Sequence, residues 1–147
     1  MAAGDGHVVN NFKEQLLKKT IDCDSDTFMV ALYNKAYAAT QLDGADPAYN
    51  VSPWDSNEIS GSGYAAGGVS IGTPVVAQDD ANDRASWDDD TTDVLWTALA
   101  ANTIQTAILY DFTTGTKWVC IIWEIGTNSN GGNYTLQFAG TGMMLLT

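Results

Sequence analysis

The residues of this chain that could do chemistry are mostly aspartates. Seven of them crowd one short interval in which Arg84 is the only base: Asp79, Asp80, Asp83, Asp88, Asp89, Asp90 and Asp93. Clustered carboxylates are the ligands that Ca²⁺ prefers, but the spacing of an EF-hand loop is absent. Nothing in the sequence places two of these carboxylates across a cleft as an acid and base pair. We interpret the interval as a solvated charged face and leave ion binding within 79–93 open.

Other catalytic groups are scarce. His7 is the only histidine, so the Ser-His and Cys-His arrangements and the zinc sites built on two histidines lack their base or ligand. The cysteines, Cys23 and Cys120, show no C-x-x-C spacing. Cys120 lies between Val119 and Ile121, which predicts a buried free thiol. We therefore expect a protein that is not an enzyme and that carries no metal or cofactor.

A glycine-rich run at 57–68 is the most unusual stretch of the chain. Its glycines are Gly61, Gly63, Gly67 and Gly68. The run misses the G-x-G-x-x-G spacing by one residue, leads into a strand-like segment and lacks a P-loop lysine, so phosphate binding is not indicated. The glycines instead predict a shaped loop that another backbone can approach closely, with Tyr64 as its anchor. We assign eight residues to a candidate interface: Trp54, Asn57, Glu58, Gly61, Gly63, Tyr64, Phe12 and Leu16.

Tryptophan is frequent in this chain. The five tryptophans are Trp54, Trp87, Trp96, Trp118 and Trp123. Exposed tryptophans can stack on sugar rings, so a carbohydrate-binding module is an alternative function, and it predicts at least two of them exposed side by side. We expect three or more to lie in the core or at a subunit interface, because these rings dominate apolar packing.

The N-terminal part of the chain predicts one amphipathic helix. Apolar residues recur at three- and four-residue steps, which predicts a helix over 9–21 whose apolar stripe includes Phe12 and Leu16. Residues 1–8 are small and polar, and we expect a flexible tail there. Packing against the body of its own domain is the preferred role of this helix, rather than membrane binding.

The rest of the chain reads as short strands. Residues 27–34 are apolar on both faces, which predicts a central strand, and 103–111 and 118–123 predict a hairpin around the glycine-containing turn at 112–116. Counting seven or eight strands, we expect a mainly β fold, an antiparallel β-sandwich or barrel, in a single domain 1–147. Its β part covers 27–147 and contains a long loop at 35–68.

Composition narrows the possible partners. The net charge is −12 with only six Lys and Arg residues, which argues against binding nucleic acid through its phosphates. No apolar run approaches the ~18 residues of a membrane span, and the first residues lack the features of a signal peptide. We expect a chain made in the cytoplasm that binds neither nucleic acid nor membrane.

Several segments together resemble a known protein family. They are the Asn-x-Phe-Lys helix start at 10–13, the strand at 26–33, the glycine run at 57–68, and the segments 87–90, 96–99 and 136–138. In this order they resemble a family of small virion structural proteins of tailed bacteriophages. The chain departs from the family pattern in the insert at 38–54 and in its acidity.

The resemblance implies that the protein acts by binding other subunits of the virion. It implies a capsid decoration or cement protein on the virion surface, with the major capsid protein as partner and a homotrimer as the oligomer. A tail or head-fibre component is an alternative that the same resemblance permits.

Overall fold

The computed structural model describes residues 6–37, 48–88, 93–138 and 142–146. Within these ranges it contains ten strands, paired antiparallel, and one helix. The elements are β1 His7–Val8, α1 Asn10–Leu17, β2 Phe28–Tyr33, β3 Val69–Ser70, β4 Val75–Asp79, β5 Arg84–Asp88, β6 Val94–Trp96, β7 Asn102–Asp111, β8 Val119–Ser129, β9 Tyr134–Leu136 and β10 Met144–Leu146. The mainly β class with one N-terminal helix is confirmed.

The five-stranded sheet has the order β1-β8-β7-β2-β3. The predicted hairpin is its centre, because β7 and β8 pair from Asn102 opposite Ser129 to Tyr110 opposite Val119. The strand β2 lies between β7 and β3 and is almost fully buried, as its apolar residues on both faces predict.

One face of this sheet is covered by α1 and by a three-stranded sheet of order β10-β5-β4. Trp87 of β5 makes the connection: its ring centroid lies 4.8 Å from that of Phe28 on β2 and 5.6 Å from that of Phe12 on α1. Its indole N–H also donates a hydrogen bond to the Cys23 carbonyl at 2.9 Å. A single buried tryptophan thus ties the small sheet to the helix and the large sheet.

The opposite face is covered by the segment 48–68. Side chains alternate between the two faces of a strand, so Tyr33 of β2 lies on the face opposite to Phe28. Tyr110 of β7 pairs with Met29 of β2 and therefore shares the face of Tyr33. Both tyrosines are fully buried beneath that segment.

The prediction of a flexible tail over 1–8 is wrong for the last two residues. His7 and Val8 form β1, which pairs with Ile122 and Ile121 of β8. Val9 extends the contact by donating its N–H to the Cys120 carbonyl at 2.9 Å. Residues 1–5 lie outside the described ranges.

The predicted helix over 9–21 is too long, since α1 covers Asn10–Leu17. Lys19 has a left-handed backbone with φ of 57°, which stops the helix. The N–H of Lys19 then donates to the Leu16 carbonyl and the N–H of Thr20 to the Gln15 carbonyl, the two hydrogen bonds of a Schellman motif. Glycine usually occupies this left-handed position at the end of a helix. Because a lysine occupies it here, the sequence does not signal where the helix ends.

The strand-like segment after the glycine run forms two strands, β3 and β4, which lie on either side of Pro74 and belong to different sheets. The acidic interval 79–93 contains β5, which β4 and β10 flank, and its described aspartates are exposed or half-buried. Of the long loop 35–68, residues 38–47 lie outside the described ranges. In the described ranges, the eight-residue α1 is too short to cross a lipid bilayer.

Candidate functional site

The glycine loop, defined as residues 57–68, is attached to the edge of β2 at both of its ends. At its start the Asn57 carbonyl accepts from the N–H of Asn34, and the N–H of Ile59 donates to the Leu32 carbonyl, both at 2.9 Å. At its end β3 pairs with the other half of β2. The loop therefore rises from one strand and returns to the same strand.

Two glycines are required by close contact with neighbouring backbone. Gly68 has φ of +80°, and a Cβ placed there would lie 1.7 Å from the Val30 carbonyl oxygen. Gly63 has φ of +78°, and its Cβ would lie 2.5 Å from the carbonyl oxygens of both Thr97 and Ala98. Only glycine fits at these positions, as the sequence prediction of a shaped loop implies.

The carboxylate of Glu58 holds the inside of the loop. Its Oε2 accepts a hydrogen bond from the Tyr49 hydroxyl at 2.9 Å, and its Oε1 accepts from the Tyr64 hydroxyl and from the Gly67 N–H, each at 2.7 Å. The Tyr64 hydroxyl in turn accepts from the N–H of Leu32 at 3.0 Å. We call Glu58, Tyr49, Tyr64 and Gly67 the tyrosine clamp.

Further aromatic contacts fix the clamp to the sheet. The Tyr110 hydroxyl donates to the Gly67 carbonyl at 2.9 Å, and the Tyr110 ring stacks on the Tyr49 ring with centroids 4.4 Å apart. Beside it the Tyr33 hydroxyl donates to the Trp54 carbonyl at 3.0 Å, and these two rings meet edge to face. These contacts hold the segment before the loop against the sheet as well.

The electrostatics keep these hydroxyls protonated. Burial raises the pKa of Tyr33, Tyr64, Tyr110 and Tyr49, and the negative charge of Glu58 raises each pKa further. A protonated hydroxyl is the form that can donate to a carboxylate. These tyrosine hydroxyls are therefore protonated across the physiological pH range.

The predicted interface residues divide into two groups. Phe12 and Trp54 lie in the core with at most 1% of their surface exposed, so neither offers a side-chain surface to a partner. Leu16 is half-buried under the small sheet. Phe12 and Trp54 stabilise the fold, and their assignment to an interface is corrected accordingly. Leu16, which is partly accessible, stays a predicted interface residue.

The second group consists of the five predicted interface residues that lie in the glycine loop. Asn57, Gly61 and Gly63 are exposed, whereas Glu58 and Tyr64 are half-buried in the clamp beneath them. Sequence reasoning missed Tyr49 and Tyr110, because their position beside Glu58 depends on contacts between distant segments and leaves no local pattern.

No protein-family model, curated protein or solved structure matches the chain. The resemblance to phage virion proteins therefore stays a prediction.

The tryptophans do not form a sugar-stacking platform. Trp54, Trp87, Trp96 and Trp123 are at most 2% exposed, and Trp118 is half-buried. The carbohydrate-binding alternative needs two exposed neighbouring rings, and these five positions do not provide them.

The acidic interval is organised by hydrogen bonds where the structure describes it. Asp79 Oδ2 accepts from Asn82 Nδ2 and from Arg84 Nε, each at 2.8 Å, and these bonds lower the pKa of Asp79. Within the described ranges no three acidic, cysteine or histidine side chains converge on a metal position. Residues 89–92 lie outside those ranges.

The two cysteines are free thiols. Cys120 is fully buried in β8, which confirms its prediction as a small apolar residue. Cys23 is half-buried, and burial raises its pKa to about 12, which makes this thiol a poor nucleophile.

Replacing Glu58 with glutamine tests the clamp. Glu58→Gln keeps the size of the side chain but removes its charge and one of its acceptor oxygens, so we expect it to lower the free energy of unfolding by about 1.5 to 3 kcal/mol. The exposed Glu124 supplies the matched control, Glu124→Gln, with a change within about 0.5 kcal/mol. Urea unfolding followed by tryptophan fluorescence measures both, and equal stabilities would contradict the role of the clamp.

Gly68→Ala tests the close approach of the loop to β2. The added Cβ would collide with the Val30 carbonyl oxygen in a backbone conformation that alanine disfavours, so we expect a loss of more than about 3 kcal/mol. Gly115→Ala is the control, because a Cβ there meets nothing within 4 Å. Its stability should stay within about 0.5 kcal/mol of the wild type. A mild effect of Gly68→Ala in the same urea titration would show that the contact can relax.

Alkaline pH should unfold the protein cooperatively. Burial raises the pKa of all six tyrosines, Tyr134 to about 12. The unfolded pKa is about 10, so the stability that these groups contribute is complete below pH ~10 and is lost as pH rises toward their folded values. We expect tyrosinate absorbance and loss of circular dichroism to appear in one step. Gradual tyrosinate formation near pH 10 in a folded protein would contradict this.

Proposed function

We propose that this chain is a structural subunit of a bacteriophage particle, a capsid decoration or cement protein that binds between major capsid protein subunits. The observation that carries the proposal is the outer surface of the glycine loop between residues 60 and 66, where the exposed residues are all small: Ser60, Gly61, Ser62, Gly63, Ala65 and Ala66. A partner backbone can approach such a surface closely.

The tyrosine clamp supports the same role. Binding costs conformational entropy when a loop must be ordered, and a loop that is already fixed avoids most of that cost. The inner hydrogen bonds to Glu58 fix the loop before any partner arrives. A rigid surface of this kind suits a subunit that stabilises a shell through contact.

The negative net charge of the chain supports selective binding to a partner. A net charge of −12 disfavours nonspecific association with nucleic acid and with other acidic surfaces. The kind of particle, the major capsid protein as partner and the homotrimer come from the family resemblance and belong to the proposal.

A bulky residue on the outer surface of the loop tests the proposal. Ser62 is exposed and uses only its backbone carbonyl, which accepts from the N–H of Ala100, so Ser62→Trp adds bulk without touching the clamp. We expect this variant to fold normally and to lose binding to phage particles that lack the protein. Thr116→Trp, at an exposed turn, is the control and should bind like the wild type.

Co-sedimentation measures the binding, and cryo-electron microscopy locates the bound protein. Density on the tail alone would reject the capsid role, and no binding by the wild type would reject the virion role. Equal binding by both variants would show that another surface makes the contact.

A further inference from the structure

The turn between β8 and β9 contains the one Asn-Gly pair of the chain, Asn130-Gly131. Every other asparagine is followed by a residue that carries a side chain. Asn130 and Gly131 are both exposed, and Gly131 has a left-handed backbone with φ of 78°. The pair therefore places a side-chain carboxamide next to a backbone nitrogen that no Cβ of its own residue shields.

These two adjacent groups have a reaction open to them. The deprotonated backbone nitrogen of Gly131 attacks Cγ of Asn130, and the new C–N bond closes a five-membered succinimide. The side-chain nitrogen leaves as ammonia and takes up the proton that the backbone nitrogen lost. Water then opens the ring at one of its two carbonyl groups: opening at Cγ gives aspartate, and opening at the backbone carbonyl gives isoaspartate. Water is the only co-reactant, and nothing is oxidised or reduced.

Neither reacting group is held by a contact in the fold. Within the described ranges, no hydrogen bond engages the Asn130 carboxamide or the Gly131 N–H. The pairing of β7 with β8 ends one residue earlier, at Asn102 opposite Ser129. A backbone nitrogen inside such a ladder becomes reactive only after local opening, which costs free energy. The nitrogen of Gly131 does not need that step.

The turn is fixed on both sides of the pair. Before it, the Ser129 hydroxyl donates to the Ala100 carbonyl at 2.6 Å. After it, the Gly132 carbonyl accepts from the Leu99 N–H at 2.9 Å. Isoaspartate routes the backbone through the side chain and lengthens it by one methylene group between these two points. We therefore expect isoaspartate at this position to displace the Gly132 carbonyl from Leu99.

The connection between β6 and β7, which includes Leu99 and Ala100, also contacts the glycine loop. The Ala100 N–H donates to the Ser62 carbonyl at 2.8 Å. Gly63 lies so close to the carbonyl oxygen of Ala98 that a Cβ there would be 2.5 Å away. A displacement of the turn after β8 thus reaches the glycine loop through one intervening segment.

We propose that Asn130 is a site of spontaneous covalent modification, where reaction with the backbone nitrogen of Gly131 produces isoaspartate and aspartate, and where isoaspartate weakens the support of the glycine loop. Both products add one negative charge, but only isoaspartate changes the length of the backbone. The reaction requires no enzyme and no partner, so the proposal does not depend on the capsid role.

Peptide mass spectrometry of the folded protein, aged in mildly alkaline buffer, tests the modification. We expect isoaspartate to form at Asn130 at least about ten-fold faster than at Asn128, a difference of about 1.4 kcal/mol in activation free energy. Asn128 is the internal control, because it is exposed as well but lies in the ladder opposite Thr103 and precedes a serine. In heavy-oxygen water the products should take up heavy oxygen, and Asn130→Gln should abolish them.

Comparison with the protein unfolded in urea separates the role of the fold from that of the sequence. Because no hydrogen bond of the described fold engages the reacting groups, the rate at Asn130 should be similar in the folded and the unfolded protein. The rate at Asn128 should rise on unfolding, because the ladder is lost. Reaction of Asn130 only in urea, equal rates at both asparagines in the folded protein, or aspartate without isoaspartate would each overturn the site.

Hydrogen exchange at the Leu99 amide tests the effect on the loop support. In the purified isoaspartate form this amide should exchange at least about ten-fold faster than in fresh protein, because its acceptor is displaced. Asn130→Asp, measured fresh, is the matched control, since it adds the same charge without lengthening the backbone, and it should exchange like the wild type. Unchanged exchange in the isoaspartate form, or equally fast exchange in Asn130→Asp, would overturn the proposed effect of the longer backbone.

Discussion

The carboxylate of Glu58 is the interaction on which the shape of this protein's exposed loop depends. It accepts hydrogen bonds from Tyr49, which precedes the glycine loop, and from Tyr64 and Gly67 within it. A half-buried carboxylate is stable only with such partners, and hydrogen bonds to a charged acceptor are about twice as strong as neutral ones. The hydrogen bonds that stabilise the charge of Glu58 therefore also fix the loop. Tyr64, whose hydroxyl accepts from the Leu32 N–H, attaches the loop to the edge of β2.

The two faces of the large sheet divide the molecule into two surfaces. Tyr33 and Tyr110 bring the glycine loop to one face, and Trp87 brings α1 and the small sheet to the other. The first face is fixed by hydroxyl hydrogen bonds beneath the small residues 60–66 of the loop. The second is fixed by one aromatic anchor and leaves an apolar groove beside α1.

The sequence predicts those elements whose signal is local. Two apolar faces identify β2, and alternation around a short turn identifies the hairpin of β7 and β8. The pairing of β10 with β5 joins residues far apart in the chain, and no local pattern encodes it. The same limit applies to the candidate site. Glycine density marks the loop and Tyr64 is identified as its anchor. Tyr49 reaches Glu58, and Tyr110 reaches Gly67, only through tertiary contacts. Phe12 and Trp54 show the converse error, since an aromatic residue in the sequence does not reveal whether the core or a partner covers it.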